Sequence, residues 1–128
     1  MEDIILISCY PNKKASEVIT LNLIREVKKS NKKIILTSHY PVSTELQKKV
    51  DYVVYDSNNI ISTDNITKLA FWCKEFDLNI MLGSDVGPAV HSNFYNGISF
   101  ASKLGYKVVH CINYDILINN HKIFDNLY

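Results

Sequence analysis

The chain has 128 residues, 47% hydrophobic and 21% charged, which fits one globular domain with a real core and excludes a disordered or low-complexity class. Fourteen basic against 13 acidic residues leave a formal charge of +1, and Arg25 is the lone arginine. That balance lacks the basic surplus and arginine content needed for phosphate tracking and base readout, so a nucleic-acid partner is not expected.

The apolar run at residues 4–7 is too short for a signal sequence or a membrane span. Cys9, Cys73 and Cys111 are odd in number and widely spaced, with neither metal-knuckle nor redox spacing. They read as buried structural thiols in a cytoplasmic protein.

In chain order, residues 4–8 predict a buried strand closed by the turn Tyr10-Pro11-Asn12, with Asn12 placed to cap the next element. Residues 13–30 predict a helix. Ala15, Val18, Ile19, Leu23 and Val27 share its apolar face, and lysines cluster in its last turn. Residues 33–37 form a second strand, which makes a right-handed βαβ unit and a parallel pair. Ser43 opens a short helix over 44–49, and residues 52–55 form a third strand ending at Asp56-Ser57. Residues 60–82 read as an extended, hairpin-like excursion, because Phe71-Trp72-Cys73 favours strand and apolar residues alternate from Phe76 to Leu82. Residues 83–88 are a turn, with Pro88 suited to the first position of a helix.

Residues 91–118 organise the chain. Phe94, Ile98, Ala101 and Leu104 form a helical apolar stripe, and Gly97, Ala101 and Gly105 form a line almost bare of side chain that lets the backbone approach a sheet. Gly105 ends the helix. Residues 107–112 predict a strand apolar on both faces, releasing Asn113, Tyr114 and Asp115 at its carboxyl end. The expected fold is therefore one three-layer α/β domain spanning residues 1–128: a mainly parallel sheet of four or more strands flanked by helices.

In open parallel sheets ligands collect beyond the carboxyl ends of the strands, which singles out Asp115 and then Asp56 on position alone. Each candidate also has a plain structural reading. Asp115 and Asp56 suit turns, Tyr10 suits packing, and Asn96 suits a helix-to-loop hydrogen bond. His110 reads as a satisfied core histidine, whereas His39 and His91 sit where loops line pockets. The histidine spacing does not suit zinc.

The order of these parts resembles the nucleotide-binding half of GT-A glycosyltransferases, the family 2-like enzymes that use nucleotide sugars. Cys9-Tyr10-Pro11-Asn12 is similar to the turn after that family's first strand, Asp56-Ser57 to its acidic turn at nucleobase and ribose, and Asn96-Gly97 to its Asn-x-Gly helix. Asn113-Tyr114-Asp115 occupies the place of the D-x-D motif, with Asn113 in place of the first aspartate. The resemblance implies a GT-A, Rossmann-like fold, nucleotide-sugar binding by Tyr10, Asn12, Asp56, Ser57, Asn96 and Asn113, and a divalent cation, manganese or magnesium, at Asp115. It also implies an acceptor half of about a hundred further residues, which this chain lacks. A fragment, a degenerate relative, and a homo-oligomer or subunit completed by a partner all fit, and no catalytic base is assigned. The alternative is a non-catalytic nucleotide-binding or protein-interaction module on the same scaffold.

Overall fold

The computed structural model describes residues 3–57 and 87–125. The excursion expected at residues 60–82, the turn at 83–86 and Cys73 lie outside them. The elements in order are β1 (Asp3–Ser8), α1 (Lys14–Val27), β2 (Ile34–Ser38), α2 (Thr44–Lys49), β3 (Tyr52–Tyr55), α3 (Gly87–Lys103) and β4 (Val108–Asn113), with short 3-10 turns at Lys28–Ser30 and His121–Asp125. The strands form one parallel sheet in the order β3-β2-β1-β4.

The layers follow from period-2 alternation along β1. Ile5 and Ile7 point to one face and join Leu23, Ile24 and Val27 of α1, Leu46 of α2 and Phe124. Ile4 and Leu6 point to the other and join Ala101, Phe94 and Phe100 of α3, with Tyr106 closing that side. A sheet covered on both faces needs strands without polar alternation, and residues 4–8 and 34–38 are all buried. The domain is thus a small three-layer α/β fold of Rossmann-like arrangement.

Two glycines of α3 act as expected. A Cβ at Gly97 would overlap both Cδ carbons of Leu6. Gly105 takes φ +93°. It donates to the Ser102 carbonyl at 3.0 Å while Tyr106 donates to the Ala101 carbonyl at 3.1 Å, a Schellman ending. Pro88 lies in the first turn of the helix. Ser43 caps α2 through its hydroxyl, which accepts from the Leu46 N–H at 3.2 Å.

Several local expectations are corrected. The α1 cap residue is Lys13, with no side-chain cap bond, so Asn12 does not cap. The buried face of α1 is Thr20, Leu23, Ile24 and Val27; Ala15 is exposed, and Val18 and Ile19 are 47% and 45% exposed. Thr20 can sit inside because its hydroxyl donates to the Ser16 carbonyl at 2.7 Å. Ile98 also faces outward, off the stripe of α3. Among the described strands β4 is an edge, and its burial is partial, so Cys111 is exposed where a buried thiol is expected. Cys9 is buried as anticipated.

His110 is indeed a satisfied core residue. Its Nε2 meets Asp3 Oδ2 at 2.9 Å, and its ring rests against Phe124 with centroids 5.3 Å apart. Lys32 Nζ reaches the same Asp3 oxygen at 3.0 Å. This cluster lies at the amino edge of the sheet, opposite the candidate site. Among the described residues no helix is long and apolar enough to cross a membrane.

Candidate functional site

Chain direction in the sheet fixes where a ligand can sit. From β1 the chain steps through α1 to β2 and through α2 to β3, always moving the same way; α3 then carries it over the opposite face to β4 on the far side of β1. The switch point therefore lies between the carboxyl ends of β1 and β4, where the diverging connections leave a crevice. Ser8 pairs in register with Asn113 across that point.

A cavity of about 210 Å³ occupies the crevice, lined by Ser8, Cys9, Tyr10, Val90, Asn93, Asn113, Tyr114 and Asp115. Its walls are held by ladder bonds that continue past the strand ends: Cys9 donates to the Thr37 carbonyl and Tyr114 to the Ser8 carbonyl, each at 2.9 Å. Loops that leave a sheet in this way present their side chains from fixed backbone.

Of the anticipated residues, Tyr10, Asn113 and Asp115 meet in this cavity. Asn113 Nδ2 donates to Asp115 Oδ1 at 3.0 Å, leaving the Asn113 amide oxygen and the second oxygen of an exposed carboxylate for a ligand. Tyr10 packs edge-on against Tyr40 at a centroid distance of 4.7 Å, and their hydroxyls lie 2.9 Å apart. That hydrogen bond, with partial burial, pushes the Tyr10 phenol up to about 12. Burial likewise pushes the Cys9 thiol up to about 12, against a smaller opposing hydrogen bond with Ser38, so Cys9 is no thiolate nucleophile.

Asp56 and Asn96 meet each other in a second cavity. Asn96 Nδ2 donates to Asp56 Oδ2 at 3.1 Å, tying α3 to the end of β3, and the Asp56 carbonyl faces His39 Nδ1 at 2.9 Å. The hollow beside them, about 360 Å³, is lined by Val54, Tyr55, Asp56, Asn96, Ser99, Phe100 and Lys103. Three strand spacings separate it from Asp115, about 14 Å along the same edge. Asn12 and Ser57 are exposed and line neither cavity, and His91 is exposed on α3.

Asn93 is the residue that sequence reasoning missed. It is 4% exposed, its Nδ2 donates to Ser8 Oγ at 3.2 Å, and its Oδ1 is buried without a partner. The signal was present, because Asn93 falls one turn before Gly97 on the close-packed line of α3.

Among the described residues no three of His, Cys, Asp and Glu gather to hold a metal. The donor set at Asn113 and Asp115, one carboxylate and one amide oxygen, suits an ion that arrives with a diphosphate and keeps waters, as magnesium does. The sequence matches no protein-family model and no curated protein.

Proposed function

We propose that the chain is a glycosyltransferase-like domain that binds a nucleoside-diphosphate sugar along the carboxyl edge of the sheet, with manganese or magnesium held between Asp115 and the diphosphate. The observation that carries this reading is the switch-point cavity with an available carboxylate and amide oxygen at Asn113 and Asp115. Transfer breaks the bond between the anomeric carbon and the diphosphate oxygen, so negative charge grows on the leaving group. A divalent cation would offset that charge as a Lewis acid. The chain's own part is positioning: Asp115 and Asn113 face the phosphates, Tyr10 and Tyr114 flank the crevice, and the Asp56–Asn96 pair marks the far end of the edge. The unpaired thiols Cys9 and Cys111 suit the reducing cytoplasm in which we place it.

A thermal-shift panel with UDP, GDP and ADP, with and without manganese, tests the reading. Ligand at a hundredfold its dissociation constant adds about 2.7 kcal/mol, which raises the melting temperature by about 10 °C for a domain of this size. No shift with any combination refutes it.

A second reading has its own observation. Val18, Ile19, Ile116 and Leu117 are exposed, Leu117 at 84%, and Ile19, Ile116 and Leu117 border a groove of about 240 Å³ that Asp115 also lines. A protein-interaction module, or a subunit completed by a partner, would use this apolar groove beside the site. Light scattering across a concentration series distinguishes self-association from a monomer.

A further inference from the structure

The unpartnered oxygen of Asn93 has a consequence for what the cavity selects. A buried amide oxygen without a hydrogen bond costs stability, and such orphans are rare in native interiors. This one belongs to a side chain that lines the switch-point cavity and is locked by its other end on Ser8 Oγ. Ser8 is itself buried, at 1% exposure, and its Oγ accepts from Asn93, so the hydroxyl proton remains to be donated. The polar floor thus offers one acceptor, Asn93 Oδ1, beside one donor, Ser8 O–H. Around it stand the rings of Tyr10 and Tyr114, with Cys9 and Val90 as apolar wall.

At about 210 Å³ the chamber lies below the usual range for a whole small-molecule ligand and suits one ring of a larger one. Aromatic walls favour a planar ring. The floor asks for an N–H next to an acceptor atom on that ring's edge, and Asp115 at the mouth directs phosphates outward, away from the floor.

We infer that Asn93, with Ser8, is the specificity-determining pair of the site and reads the hydrogen-bonding edge of a pyrimidine base, Asn93 Oδ1 accepting from a base N–H. This rests on the nucleotide-binding reading above. Two bases share the chemistry: uracil offers its imide N–H beside a carbonyl, and cytosine its exocyclic amine beside a ring nitrogen. A purine carries a comparable edge on a ring system too large for the chamber.

The test is titration calorimetry on the full chain with UDP, 3-methyl-UDP, CDP, N4,N4-dimethyl-CDP, GDP and ADP, using wild type and Asn93→Leu. Leucine nearly matches asparagine in volume and removes the orphan oxygen, so the variant holds or gains stability while losing affinity, which a merely structural residue would not do. The expected result is that one pyrimidine diphosphate binds wild type best, that methylating its N–H weakens binding about tenfold, and that Asn93→Leu weakens the parent to the same degree with no further loss on methylation. The parent nucleotide identifies the base. UDP or CDP binding that ignores both methylation and Asn93→Leu overturns the inference and leaves nucleotide binding standing, as does preference for a purine. Absence of binding by every nucleotide overturns the nucleotide reading and this inference with it. Should Asn93→Leu not fold, the methylated ligands on wild type still decide.

Discussion

Gly97→Val tests the packing that brings α3 down onto the sheet. A Cβ at position 97 would overlap both Cδ carbons of Leu6, which is fully buried in β1 with Ile35 and Cys111 as its register partners. Leu6 has no free space into which to turn, so the helix must lift or the core must shift, at a cost of about 1–3 kcal/mol. Opposing this, replacing glycine in a helix interior recovers up to about 1 kcal/mol for alanine and less for β-branched valine. Gly97→Ala is therefore expected to lose about 0–2 kcal/mol and Gly97→Val about 2–3 kcal/mol. With a urea slope of about 1–3 kcal/mol per molar, the valine variant moves the unfolding midpoint down by about 1 M. Because the clash is with one side chain, Gly97→Val combined with Leu6→Ala should cost less than the sum of the two. A midpoint that rises for Gly97→Ala by the propensity gain alone, or strict additivity in the double mutant, would show that α3 does not pack closely on Leu6.

Other consequences are as direct. Asp3→Asn, which leaves both His110 and Lys32 short of their shared carboxylate, should cost about 2–3 kcal/mol in chemical denaturation; a loss under 0.5 kcal/mol would show the cluster to be idle. The Cys9 thiol is raised from 9.0 to about 12, so the native state holds this proton more tightly than the unfolded chain. Its stabilisation is complete below pH 9 and is lost as pH rises towards 12, at up to about 1.4 kcal/mol per pH unit. Cys9→Ala should flatten that part of the alkaline stability profile, and an unchanged slope would contradict it. In a Cys73→Ser background, an aromatic disulfide reagent should modify exposed Cys111 well before buried Cys9; equal rates would argue against the burial of β1's carboxyl end. Asn113→Asp should strengthen the manganese dependence of nucleotide binding by adding a second carboxylate, which calorimetry reads directly.

Strands and helices were legible because each strand is a short apolar run closed by a turn signal, and Ser43 and Gly105 punctuate the helices. The boundaries of α2 and β3 come out as their residues imply. What hydrophobic patterning misplaced is the orientation of α1: Thr20 counts as polar but satisfies itself on the preceding turn, so the buried face rotates away from Val18 and Ile19. The position of β4 was illegible for a related reason. An apolar strand beside α3 reads the same at the edge as at the centre of a sheet, and only topology separates the two. For the site, position at strand ends brought out Asp56, Asn96, Asn113 and Asp115, and the two pairs do hydrogen-bond. It could not tell that the pairs lie at opposite ends of the edge. Asn93 stayed hidden because an asparagine inside a helix carries no motif; its meaning comes from Ser8, 85 residues away in sequence.

The most direct test of the central claim is titration of UDP, or whichever nucleoside diphosphate binds best, into wild type and Asp115→Asn, each with manganese and with chelator. The exposed Asp115 carboxylate contributes little packing, so the variant should unfold within about 0.5 kcal/mol of wild type. Manganese should tighten nucleotide binding to wild type about tenfold or more, the scale of one charge-assisted contact, and leave the variant's affinity unchanged. Equal enhancement in both proteins would remove Asp115 from the metal site. No nucleotide binding to either would contradict the glycosyltransferase-like reading itself.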